Sequence, residues 1–269
     1  MVKKLFAGGY VFLVLMILYA PILLLVAYSF NMSREIGIWS SEWGFSLYGE
    51  LFQNEDIMQT VLNTFILAIV SSVLSSILGT IGAIGMFYSK QRTRRVLNGA
   101  TQIPIINAEI VTAISIALVC TMFAFGRSYA SLLIGHIVLT FPFVVLSVMP
   151  RLKQMDNNLY EAALDLGATP TKALFSVIIP EIMPGILSGF LLAINLSLDD
   201  YIITTFTKPA TFETISTYVF DAYARGGKSS SVPALRALST IIFIFMILFV
   251  VIRNVLSSKN NKKTENVRK

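Results

Sequence analysis

The sequence predicts an all-α integral membrane protein with six transmembrane helices, and three observations predict it. Of its 269 residues, 55% are hydrophobic and 13% charged. Mean hydropathy is +0.73, well outside the range of a soluble domain. Six apolar runs are long enough to cross the hydrocarbon, which takes roughly 20 residues of helix.

The first run, about Leu5 to Phe30, follows Lys3 and Lys4, and Leu25-Val26-Ala27 weakly resembles a cleavage site. Its 26 apolar residues exceed a signal-peptide core, so it reads as a retained anchor. The second, Thr60 to Tyr88, carries small residues at every fourth position, Ser71, Ser75, Gly79 and Ala83. Such a ridge lets another helix approach closely, either within its own bundle or on a second chain. The third, Leu97 to Phe125, holds Glu109 near its middle, just after Pro104 and Asn107. A proline there can open the helix where it borders a cavity. The lone Cys120 in this run has no partner, which excludes disulfides and thiolate metal clusters.

The fourth run, Tyr129 to Pro150, contains the single histidine, His136. With no carboxylate beside it in sequence, it reads as a packed polar side chain rather than a proton relay. The fifth, Gly185 to Phe206, contains adjacent Asp199 and Asp200. Each charge facing lipid costs about 2.5 to 3.5 kcal/mol, so both must face protein or a watery cavity. Ser197, Asp200, Tyr201 and Thr204 recur at helical spacing as a polar stripe, with Asn195 and Asp199 in the neighbouring row. The sixth run, Ala234 to Leu256, has Arg236 near its start, an alternative partner for either aspartate.

Asp199, Asp200 and Glu109 together suit a substrate bearing several ammonium groups, because paired acids replace the lost water. Tyr201 and Tyr19 are candidates to lie over such a cation. The same carboxylates could instead relay ions in a stand-alone cation-coupled secondary transporter. No set of catalytic groups or metal ligands is present, so the chain reads as a non-enzyme.

Lysine and arginine set the orientation, since cytoplasmic loops hold the excess. One set of span ends carries 15 of them and the other 6, which places both termini in the cytoplasm. The net charge of +6 follows from this bias and needs no nucleic acid. The chain divides into a membrane domain, 1–256, and a basic cytoplasmic tail, 257–269. Its long internal loop, Arg151 to Pro184, lies on the cytoplasmic side and predicts a helical hairpin. Asn158 caps a short helix in a box with Glu161, Gly167 ends it in the left-handed conformation, and Thr169-Pro170 starts a second helix. Pro180 stops that one. Alone, the hairpin could equally tuck beneath its own bundle or dock on a partner.

Glu161-Ala162-Ala163, three residues, Gly167, nine residues and Val177-Ile178-Ile179-Pro180 resemble the EAA loop of permease subunits of bacterial ATP-binding cassette importers. Ile110 to Ser115, Phe141 to Val145 and Leu196 to Tyr201 resemble segments of the spermidine/putrescine members of that family. The resemblance covers nearly the whole chain; its departure is valine and isoleucine where isoleucine and leucine are usual before the proline. It implies a type I importer permease fold, with Glu161, Ala162, Ala163 and Gly167 docking on an ATPase subunit. It also implies two ATPase copies using ATP and Mg, a second permease subunit, an extracellular binding protein and no cofactor in this chain. Ala222 to Ser229 satisfies a relaxed phosphate-loop pattern, but the orientation puts it outside the cell and no second nucleotide motif accompanies it. It reads as an external loop facing the binding protein.

Overall fold

The computed structural model describes residues 2–34, 37–156, 158–224, 231–245 and 247–248. Among these residues the regular structure is all helix, apart from an isolated antiparallel bridge between Asn31 and Trp43. The predicted end of the sixth run, the tail 257–269 and most of the phosphate-loop look-alike fall outside the described residues.

In order, the helices are α1 (Val2–Ser29), α2 (Ser46–Gln53), α3 (Glu55–Tyr88), α4 (Gln91–Ile106), α5 (Glu109–Met122), α6 (Tyr129–Gln154) and α7 (Asn158–Asp165). They continue with α8 (Pro170–Ala173), α9 (Ile179–Asp199), α10 (Ile202–Thr207) and α11 (Ile215–Ala224), then α12 (Val232–Phe245). Among the described residues four helical runs are long and apolar enough to span a membrane, and a fifth is reached if the bent pair α4 and α5 is counted as one. α12 is apolar but shorter as described. The described residues pack as two compact units, residues up to 58 with those from 219, and residues 59–218.

Three expectations are corrected. The predicted third span is not one helix: it breaks at Asn107–Ala108, and α4 and α5 meet at 108°. Pro104 sits inside α4, and the break follows it by three residues, with the Asn107 side chain donating to Thr112 Oγ1 at 3.2 Å. Pro180 does not stop the hairpin's second helix either. A π-helical turn, Leu174–Ile178, joins α8 to α9, and Ile179 N–H reaches back five residues to the Leu174 carbonyl. That widening relieves the clash a proline makes with the carbonyl four residues earlier. The predicted fifth span therefore starts earlier, as one helical run of 30 residues from Pro170 to Asp199, and ends earlier, at Asp200 and Tyr201.

The core of the 59–218 unit lies where α3, α6 and α9 meet. Ala83, Val144, Val148, Leu152, Ile178, Ile182 and Ala193 are buried together there. Close packing is built from missing side chains. A Cβ on Gly189 would stand 3.0 Å from Val144 Cα, and one on Gly185 would stand 3.0 Å from the Ser147 carbonyl. Gly185, Gly189 and Ala193 thus form a small-residue ridge on α9, facing α6. The ridge expected on α3 turns inward to the same bundle. Ser71, Ser75 and Ala83 are fully buried, Ser75 and Thr140 pair their hydroxyls at 2.6 Å, and a Cβ on Gly79 would meet Val144 at 2.7 Å.

Candidate functional site

The site is built by two interruptions in otherwise regular helices. α9 stops at Asp199 and α10 starts at Ile202, while α5 begins at Glu109, just past the Asn107–Ala108 break. Between these broken ends lies a cavity of about 460 Å³, lined among others by Asn107, Glu109, Thr112, Asn195, Asp199, Asp200 and Tyr201. Broken helices free backbone polar groups, which a bilayer tolerates only beside a cavity or protein. At the α9–α10 break a polar side chain meets that demand, because the Asp200 carboxylate takes up freed N–H groups.

The adjacent aspartates do different work. Asp200 is 4% exposed, and its carboxylate accepts from the backbone N–H of Ile203 at 3.1 Å and of Thr204 at 2.8 Å. It also accepts from Thr204 Oγ1 at 2.7 Å. It therefore satisfies the first free N–H groups of α10, the role of a capping side chain. Asp199 is exposed to the cavity, as is Glu109. Glu109 and both aspartates line this one cavity. Three acids thus converge, with two open to an incoming group.

Tyr201 lines the cavity. Tyr19 does not: it lies on α1, in the other compact unit, with 49% of its surface exposed. The stripe through Ser197 and Thr204 does not run along one helix, because the chain breaks at Asp200, yet both hydroxyls converge on His136. His136 is fully buried, as expected of a packed polar group. It does have a carboxylate neighbour in space, with Nε2 3.5 Å from Asp200 Oδ2. Arg236, 2% exposed, donates from Nη1 to the Ser33 carbonyl at 2.8 Å. Its guanidinium lies 4.3 Å from the centre of the Tyr28 ring.

At the other end of α9, the hairpin forms largely as its caps dictate. Gly167 has φ +85°, and Ala168 N–H reaches the Ala163 carbonyl while Gly167 N–H reaches Leu164. These two bonds are the Schellman pair that closes a helix on glycine. Thr169 Oγ1 accepts from Lys172 N–H at 3.3 Å, with Pro170 in the first turn. The start differs by one residue from expectation: Asn158 is already helical, and its N–H donates to Asp156 Oδ1 at 3.0 Å. Tyr160 turns toward the core and packs on Tyr88, ring centres 6.0 Å apart. Glu161 and Ala162 stay exposed beside Leu166, which is 89% exposed, while Ala163 is half-buried.

Residues 75–265 match the family model described as the binding-protein-dependent transport system inner membrane component. Over 254 residues the chain is 29% identical to the spermidine/putrescine transport system permease protein PotC of Haemophilus influenzae, covering 94% of this chain and 97% of that one. Over 232 residues it is 33% identical to the putrescine transport system permease protein PotI of Escherichia coli K12, covering 84% and 81%. Among solved structures, a bacterial ABC transporter involved in the import of the acidic polysaccharide alginate superposes with a TM-score of 0.72 at 16% identity, over 94% of this chain and 96% of that one. At that identity the likeness is one of fold.

Proposed function

Because the chain belongs to the family of inner membrane components of binding-protein-dependent transport systems, we propose that it is the subunit through which an ATP-driven importer passes polyamines across the cytoplasmic membrane. Family membership makes it a multi-pass transport subunit working with other importer components rather than an enzyme. The cargo is carried by one observation: Asp199 and Glu109 open into a common cavity with Asp200 behind them. Spermidine and putrescine belong to relatives by name, and their spaced ammonium groups match spaced carboxylates. Tyr201 at the cavity wall adds a ring face for a cation or its methylene stem.

In this reading the chain crosses six times with both termini in the cytoplasm, α4 and α5 making one broken crossing and α12 the start of the last. The fold is that of a type I importer permease. Two ATPase subunits, with ATP and Mg, act from the cytoplasm on the exposed Glu161, Ala162 and Gly167 edge, with Ala163 behind it. A second permease subunit completes the path, and an external binding protein delivers the cargo. Membrane potential and proton gradient are not the driving force, which separates this from the secondary-transport alternative.

The test is uptake of labelled putrescine and spermidine in cells carrying Asp199→Asn or Glu109→Gln, at matched membrane levels of the importer. We expect uptake to fall in both, with co-purification of the ATPase unchanged. Wild-type uptake in both variants would remove the cation reading, and uptake that persists without any ATPase would remove the importer reading.

A further inference from the structure

His136 has no part in the cation reading, yet both of its ring nitrogens are engaged across the break between α9 and α10. It is the one histidine in the chain, it comes from α6, and it is fully buried. Nδ1 lies 2.7 Å from Ser197 Oγ on α9. Nε2 lies 2.9 Å from Thr204 Oγ1 on α10.

The hydroxyl protons decide the ring's form. Thr204 Oγ1 has a single proton and stands 2.7 Å from Asp200 Oδ2, a carboxylate already accepting two backbone N–H groups. That proton is committed to the carboxylate, so Oγ1 must accept from His136, which puts a proton on Nε2. Complete burial disfavours a charged imidazolium, so Nδ1 is bare and Ser197 donates to it. Ser197 Oγ in turn stands 3.1 Å from Ser71 Oγ on α3. The chain of hydrogen bonds therefore runs from α3 through α9 and α6 to the carboxylate of Asp200, with each buried group satisfied.

We infer that His136 is a positioning residue for the cation site: a neutral, Nε2-protonated ring that clamps α9 to α10 across the break. The clamp keeps Asp200 turned inward as the cap of α10. It thereby leaves Asp199, the adjacent residue on a fixed backbone, turned into the cavity. Its effect on transport rests on the polyamine reading above; the form of the ring does not.

Two measurements test it. The full chain, labelled with ¹⁵N-histidine and purified in lipid nanodiscs through a tag free of histidine, yields one imidazole pair. We expect a bare Nδ1 and a protonated Nε2; the opposite tautomer or an imidazolium would overturn the assignment. In the assembled importer, His136→Gln and the near-isosteric Thr204→Val should raise KM for the polyamine about tenfold, the scale of one buried hydrogen bond. The turnover rate should change less, and Thr204→Ser should recover most of the loss. Wild-type KM in both His136→Gln and Thr204→Val overturns the positioning role. If Asp199→Asn abolishes uptake alongside that result, the clamp alone has failed; if Asp199→Asn is also silent, the cation reading has failed with it.

Discussion

The two ends of the helical run Pro170–Asp199 are built on opposite plans. At the hairpin end the backbone carries on through Pro180 and Pro184, and a π turn ahead of Pro180 makes room for its ring. At the cavity end the backbone gives up after Asp199, and side chains from neighbouring helices hold the ends in place. The hairpin is joined to the bundle by an unbroken helical run, whereas the geometry of the cavity end is set by Asp200, Thr204 and His136. The difference teaches where each kind of variant should act: on coupling at one end, on affinity at the other.

The largest effect that would break this contrast comes from Asp199. Asp199→Asn removes a charge open to the cavity, and charge-assisted contacts are worth about 1.5 to 3 kcal/mol. Polyamine kcat/KM should fall about 10- to 100-fold, while ATP hydrolysis still responds to the loaded binding protein. Loss of that response would mean that the two ends are not separable.

Gly189→Leu attacks the rod between the ends. Its Cβ would meet Val144 backbone at 3.0 Å, and overpacking of this kind costs about 1 to 3 kcal/mol. Thermal unfolding in nanodiscs should shift down, with transport and coupling lost together.

At the hairpin end, Gly167→Val places a β-branched residue at φ +85°, a strain of about 1 to 2 kcal/mol. We expect weakened stimulation of the ATPase, read as hydrolysis per polyamine moved, and an unchanged polyamine KM. A raised KM with normal stoichiometry would contradict the assignment of coupling to this end.

The smallest effect sharpens the role of Pro180. Pro180→Ala restores an N–H and lets the π turn relax to α-helix, at a change of about 1 kcal/mol or less. Hydrogen exchange should slow across residues 174–180, and uptake should change less than about fivefold, by the same energy scale.

The hairpin was legible in the sequence because its signals are local: Gly167 and Thr169-Pro170 act within one turn of themselves. That Asp199 and Asp200 avoid lipid was legible too, from the cost of a charge alone. Which of them stays open was not, since it depends on a helix break that the spacing of the polar residues does not reveal. The stripe from Ser197 to Thr204 assumed an unbroken helix and found the right side chains by the wrong geometry. His136 was read as packed, correctly, but its partners lie 61 and 68 residues along the chain, beyond the reach of local reading. Pro180 misled for a related reason: a proline forbids one hydrogen-bond pattern, and the chain adopted another. The Gly185, Gly189 and Ala193 ridge went unread although its spacing is that of the ridge on α3.

The central claim is that this subunit recognises a polycation through the open carboxylates Asp199 and Glu109. It is tested most directly by ATP-driven uptake into proteoliposomes holding the complete importer, comparing wild type with Asp199→Asn combined with Glu109→Gln. We predict that the double variant hydrolyses ATP but moves no measurable putrescine or spermidine; transport by it at the wild-type KM would contradict the claim.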